Sequence, residues 1–174
     1  VYRARTTGDW SRAVVPQVPN TSGNRRFSPI GLALDSTGRP GLAYDLEFPN
    51  VVPGIDADVI AFWRPDEKTA TQVADSANTP NDFPSVTLAF DGVKPRVAYL
   101  LHRDKDVASD SWLSASDDGK TWGAPTRIPR DGRDVSDWDL SLALDSKGRA
   151  AIAAYWHTET QSAPGQCGGP QLFR

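Results

Sequence analysis

This sequence predicts an all-β fold, and three observations carry that prediction. One pattern is written three times: SPIGLALDSTGRPGLAYDLE from Ser28, FPSVTLAFDGVKPRVAYLLH from Phe83 and DLSLALDSKGRAAIAAYWH from Asp139, with Leu42, Val97 and Ile152 spaced 55 residues apart. Each copy alternates apolar and small residues with the two-residue period of a strand that buries one face. Nowhere does a helix period interrupt the strands, and 14 Gly and 14 Pro punctuate the connections between them. Short strands at even spacing, with a repeat near 50 residues, indicate a β-propeller of four-stranded antiparallel blades. About three blade repeats are present, which suits part or half of a six-bladed ring.

The strands of a unit follow in order. The first carries Ile30, Leu32 and Leu34, then Val86, Leu88 and Phe90, then Leu140, Leu142 and Leu144. Each run ends in an aspartate (Asp35, Asp91, Asp145) followed by STGRP, GVKP or SKGRA, where Gly and Pro supply turn chemistry. GLAYDLE, RVAYLLH and AIAAYWH form second strands that close a hairpin on the first. DVIAFWR from Asp58 and SWLSAS from Ser111 read as third strands, ATQVA from Ala70 and APTRIP from Ala124 as fourth strands. At the two ends, VYRAR and PQLFR read as third strands and WSRAVVP as a fourth. The whole of 1–174 is therefore one propeller segment, with units at 1–27 (partial), 28–82, 83–136 and 137–174 (partial). Three blades leave two open sides, so the expectation is that a second copy, or a part of the protein outside these residues, completes the ring.

Bulk composition bounds the function. With 39% hydrophobic and 24% charged residues the chain is that of a globular protein that can bury a core. A net charge of −3 and a pI near 5.3 argue against a nucleic-acid partner, which requires a basic face. No apolar run approaches the roughly 18 residues of a membrane span. The absence of methionine, even at position 1, suggests a processed product or a fragment. Cys167 stands alone, either a free thiol in a Gly-rich loop or a partner for a cysteine elsewhere.

Between the third and fourth strands of the second full unit lies ASDDGKTW, Ala115 to Trp122. It closely resembles the Asp-box, the Ser-x-Asp-x-Gly-x-Thr-Trp hairpin of the sialidase superfamily (also called the BNR repeat). Asp117 falls at the acidic position, Gly119 at the turn glycine, and Thr121 and Trp122 at the closing pair; Ala115 stands where the family usually has Ser. An aspartate there caps the amides of its own turn, glycine accepts positive φ, and tryptophan packs inward. TTGDW, Thr6 to Trp10, is a shortened version, and RPDEKTA of the first full unit has no recognisable box. In the family these boxes are structural and lie away from the active site.

The resemblance implies a secreted or cell-surface protein directed at carbohydrate. Family sialidases hold a sugar carboxylate with three arginines, whose guanidinium forks match it bidentately, and use a tyrosine nucleophile. Thr126-Arg127-Ile128-Pro129 looks like one arginine motif of the family, but it follows the box directly and belongs to a fourth strand. Tyr44 and Tyr99 recur at one repeat position, as core residues do. No catalytic residue is assigned.

A ligand site would lie on the face opposite the box, where the loops leading into the first strands meet those that cross from second to third strand. The inbound loops are PNTSGNRRFS, DSANTPNDF and RDGRDVSDWD; the crossing loops are EFPNVVPGIDAD, RDKDVASD and HTETQSAPGQCGG. They differ from one another while the strands match, and dissimilar loops on a repeated scaffold are where function resides. Glu47, His102 and His157 are equivalent residues that end the second strands there. They are candidate ligand contacts or plain solvated strand ends; their spacing carries no metal signature, and no metal or cofactor is expected. Arg25 and Arg26 lead into the first full unit, Asp82 into the second and Asp137 into the third, with Trp138 able to stack on a sugar ring or to pack inward. Two functions follow: a glycan-binding or glycan-cleaving propeller, such as part of a glycoside hydrolase, or a non-catalytic scaffold or lectin for protein or glycan partners.

Overall fold

The computed structural model describes residues 2–4, 11–15, 30–52, 55–75, 81–82, 85–103, 110–129, 136–157 and 170–173, with side-chain environments at 14–15, 30–46, 58–75, 85–101, 110–129 and 139–154. Among them there are strands and no helix, arranged in four antiparallel sheets. β1 (Tyr2–Ala4) pairs with β2 (Ser11–Ala13). The next sheet runs β3 (Ile30–Leu34), β4 (Pro40–Val52), β5 (Ile55–Trp63), β6 (Thr71–Asp75). In the third, β7 (Asn81–Asp82) and β8 (Val86–Asp91) both pair with β9 (Lys94–Arg103), which leads to β10 (Asp110–Ala115) and β11 (Thr126–Arg127). The last holds β12 (Ser136–Leu144), β13 (Ala150–His157) and β14 (Pro170–Phe173). Sequential strands thus pair in the blade order the repeat predicts, and the fold is an all-β propeller of four-stranded antiparallel blades.

The sheets stack so that both faces of a blade are covered. Ala43, Ile60, Phe62 and Val73 of the β3–β6 sheet form one cluster with Val86, Leu88, Val97 and Tyr99 of the next. Ala98, Leu100 and Ile128 from the other side of that second sheet join Leu140, Leu142, Ile152 and Ala154 of the third. Innermost strands approach closely: a Cβ on Gly31 of β3 would sit 2.9 Å from the Leu88 amide nitrogen of β8. Only glycine leaves room for that approach.

One expectation is corrected. EFPNVVPGIDAD, taken as a crossing loop, is largely hairpin: Glu47 pairs with Asp58, Phe48 with Ala57 and Val52 with Ile55, with a register shift between Phe48 and Val52. β-Branched Val51, Val52 and Ile55 favour continuation of the strands, and Pro49, which has no amide to donate, falls within the irregular stretch. Ile30, Leu32 and Leu34, on one of the two open sides that three blades were expected to leave, are 58, 60 and 65% exposed. Their counterparts on β8 and β12 rest on a preceding sheet; among the described residues no inner strand precedes β3.

One buried ion pair fastens the first two full blades. The Asp35 carboxylate caps its own turn, accepting hydrogen bonds from the Thr37 amide and hydroxyl and from the Arg39 amide. Its other oxygen accepts one from Arg64 Nη1 at 2.8 Å, with both side chains at least nine-tenths buried. Arg64 Nη2 donates to the Val93 carbonyl in the first turn of the next blade, and the guanidinium lies 4.7 Å from the Phe90 ring centroid. Burial alone pushes the Asp35 carboxyl up, but the hydrogen bonds from Thr37, Arg39 and Arg64 outweigh it and hold the group well below its ordinary value of 3.8.

A group whose folded-state value is depressed stabilises the fold above its unfolded value, and that stability is lost as pH falls. The thermal midpoint is therefore expected to drop as the pH falls below about 4, with a shallower drop in an Asp35→Asn variant; parallel curves would remove Asp35 as the acid-sensitive group. Arg64→Met breaks a buried pair and is expected to lower stability by about 3–5 kcal/mol in urea unfolding at neutral pH.

Candidate functional site

The strands run between two chemically different ends. One end carries the first-hairpin turns and the box. There Ser116 bridges to Trp122, Gly119 has φ of 73°, and Trp122 lies edge-on to Phe62 of the preceding blade at 5.5 Å. The Trp122 indole donates to the Thr71 hydroxyl, which donates to the Gly119 carbonyl, so the box is tied across the blade boundary.

The capping acid, however, is one residue away from the sequence assignment. Asp118 Oδ1 accepts from the Lys120 and Thr121 amides, and Ser116 Oγ accepts from the Gly119 amide and donates to the Thr121 carbonyl. Amide hydrogen bonds from Thr121 and Lys120 hold the Asp118 carboxyl below the ordinary carboxylate value. Asp117 instead projects outward, its side chain 81% exposed, in an ion pair with Lys94. The hydrogen bonds therefore put the cap at Asp118 and the serine at Ser116, where the sequence reading has Asp117 and Ala115. An open pocket of about 320 Å³ beside the box is lined by Arg96, Ser116, Asp118 and Thr121. Its polar groups serve the turn itself, since Arg96 donates to the Ser116 carbonyl and to Asp91.

The opposite end gathers most of the residues singled out from sequence. Asp82 on β7 pairs with His102 on β9. On β12 Ser136 pairs with His157 and Asp137 with Trp156, with an irregularity between Asp137 and Asp139 that sets Trp138 out of register. Glu47 pairs with Asp58. Asp82, Asp137 and Trp138 thus stand on strands rather than in the inbound loops. Their side chains, and those of Glu47, His102 and His157, lie outside the described environments. Arg25, Arg26, Cys167 and the Thr6–Trp10 turn lie outside the described residues altogether.

Beside them is a polar layer that the sequence reading missed. Asp45 is 3% exposed, Asp58 2%, Ser85 2% and Ser111 3%. Asp45 stands opposite Ile60 and Asp58 two residues before it, so both carboxylates share the face turned to the second full blade. Ser85 Oγ donates to Asp139 Oδ1 at 2.9 Å and accepts from the Leu140 amide, joining the second full blade to the β12–β14 sheet at the same end. One signal for Asp45 was legible: the repeat places Leu100 and Tyr155 at its position. A carboxylate at a position that the other repeats fill with Leu and Tyr departs from the packing pattern.

The residues of the sialidase resemblance do not converge here. Arg127 is exposed on β11 and donates through Nε and Nη2 to Asp110. Tyr44 and Tyr99 are core residues, 1 and 3% exposed. Burial pushes both phenols up, and for Tyr99 the Ser114 hydroxyl acts against that shift. A buried phenol so shifted is poorly placed to ionise as a nucleophile.

No protein-family model matches the sequence, and no curated protein matches it. Among solved structures the chain is similar to the crystal structure of endo-arabinase from Bacteroides thetaiotaomicron VPI-5482, with a TM-score of 0.52 and 18% identity over 84% of this chain. The chain spans 55% of that protein's length. At this identity the likeness is one of fold.

The revised box makes a direct comparison possible. Ser116→Ala leaves a buried turn amide and carbonyl without their partner and is expected to lower stability by about 1–3 kcal/mol in urea unfolding. Asp117→Ala removes only an exposed ion pair and is expected to stay within about 1 kcal/mol of the parent. Equal losses in the two variants would return the capping role to Asp117.

Proposed function

We propose that this chain is part of a carbohydrate-directed propeller whose glycan site lies at the end of the sheets opposite the box. The observation that carries the proposal is the buried Asp45–Asp58 pair at that end, beside Asp139 and Ser85 on the inner strands. Sugar hydroxyls donate hydrogen bonds well to carboxylates, and glycoside hydrolysis in most enzymes uses two of them, one as acid and one as base or nucleophile. The fold likeness to an endo-arabinase favours the same class of ligand. We favour a neutral polysaccharide such as arabinan over a sialoside on that likeness; the arginines whose side chains are described are engaged in ion pairs. Arg39, Arg64, Arg96, Arg127 and Arg149 each hold an aspartate. A secreted or cell-surface setting suits a polysaccharide ligand. Asp45, Asp58 and Asp139 are the proposed ligand contacts, with Glu47, Asp82, His102, Asp137, Trp138 and His157 at the rim.

Calorimetric titration and reducing-sugar release with arabinan test this reading, with a sialoside as the contrast. Arabinan is expected to bind, and Asp45→Asn is expected to weaken it by at least about tenfold, or 1.4 kcal/mol, with the near-ultraviolet circular dichroism unchanged. Asp117→Ala, at the other end, is expected to bind as the parent does. Silence with arabinan and across a neutral glycan array would overturn the proposal in favour of a protein-binding scaffold, and binding of the sialoside alone would restore the sialidase reading.

A further inference from the structure

Ser85 and Asp139 occupy the same place in the repeat. Val86 pairs with Tyr99 and Leu140 with Ala154, and those two partners lie one 55-residue period apart. Ser85 and Asp139 therefore each stand immediately before the first large apolar residue of an inner strand, at the end opposite the box. The first full unit has Pro29 there, so the packing of a blade does not call for a hydroxyl at this position. Ser85 is nonetheless 2% exposed, and a hydroxyl so buried demands a partner. Its partner is the carboxylate of Asp139, which is exposed.

Ser85 is held from its own sheet and reaches into the next. Its carbonyl accepts from the Leu100 amide. Its hydroxyl accepts from the Leu140 amide at 3.0 Å and donates its one proton to Asp139 Oδ1 at 2.9 Å. The Leu140 amide also reaches Asp139 Oδ1, at 2.9 Å, so that amide is satisfied without the serine. What Ser85 adds is a second donor on the same carboxylate oxygen. Two donors on one oxygen restrict the plane of the carboxyl group, and with it the direction of the other oxygen. No described residue engages Asp139 Oδ2.

We infer that Ser85 is a positioning residue for the glycan site. From a buried place in one blade it orients an exposed carboxylate at the head of the next inner strand, leaving Oδ2 to accept a hydrogen bond from a sugar hydroxyl. Hydrogen bonds to a carboxylate are among the stronger ones, and they weaken steeply when misaligned. A side chain locked before the ligand arrives also loses less freedom on binding. The inference rests on the glycan reading of this end and says how one of its contacts is held.

Titration with arabinan of the parent, Ser85→Ala, Asp139→Ala and the double variant tests it. Ser85→Ala is expected to weaken binding about tenfold, as the loss of one hydrogen bond to a charged group does, and Asp139→Ala at least as much. The double variant is expected to bind no more weakly than Asp139→Ala alone, because Ser85 has nothing left to orient. A serine that served only the fold would weaken both backgrounds equally. Ser85→Cys keeps the size of the side chain with a weaker donor. It is expected to weaken binding with the parent's circular dichroism, and it carries the same cycle where Ser85→Ala fails to fold. Additive losses, or serine variants that bind as the parent does, would overturn the inference and leave the glycan reading in place. A parent that does not bind arabinan removes the contact itself, and the inference with it.

Discussion

Everything in this chain depends on one constraint: a blade is hydrophobic on both faces and cannot be covered by its own residues. A four-stranded sheet with Leu42, Tyr44 and Trp63 on one side and Ala43, Ile60 and Phe62 on the other must be sandwiched to be stable. The repeat answers with complementarity along the stack, large side chains against small ones. Gly31 shows how tight the fit is, since even a methyl group there would meet the backbone of β8. Stability in such a stack is a sum of sheet and junction terms, so a blade's neighbours matter as much as its own strands.

Hydrophobic faces alone would let blades slide against one another, and polar ties at the box end remove that freedom. Arg64 reaches from its own blade's Asp35 to the Val93 carbonyl of the next. Trp122 and Thr71 make the reverse connection, from the second full blade back to the first. Buried polar contacts of this kind add registry more than net free energy. Their concentration at one end leaves the other free to vary its loops, which is how a repeated scaffold can carry a site without losing its fold.

The architecture was legible because it was stated more than once. Leu42, Val97 and Ile152 recur at a fixed interval, and three aspartate-led turns bound the first strands, so pairing and blade order followed from spacing and period. What escaped was anything set by context. Alternation on Ile30 and Leu32 reports which face is apolar, and only the count of blades indicated that this face is open. Asp117 read as the cap because the motif was aligned from Ala115, whereas the hydrogen bonds of the turn select Ser116 and Asp118. The crossing of the first full unit read as loop because it differs from its counterparts while the strands match, yet strand pairing resumes at Val52.

The site has the same logic in reverse. Sequence reading sought it where the repeats are least alike, in the loops, and passed over Asp45 because it lies inside a matching strand. Yet a strand position that holds Leu100 in the next unit, fully buried, has no packing reason to hold a carboxylate. Burying a carboxylate is unfavourable by several kcal/mol unless it is compensated. In a repeat protein the informative residue is therefore the one that breaks the pattern in the core. Asp45 breaks it, and Asp58 shares its face of the same sheet, at the end where Ser85 and Asp139 join the next two blades. That convergence, rather than the box that first revealed the fold, carries the proposed glycan site.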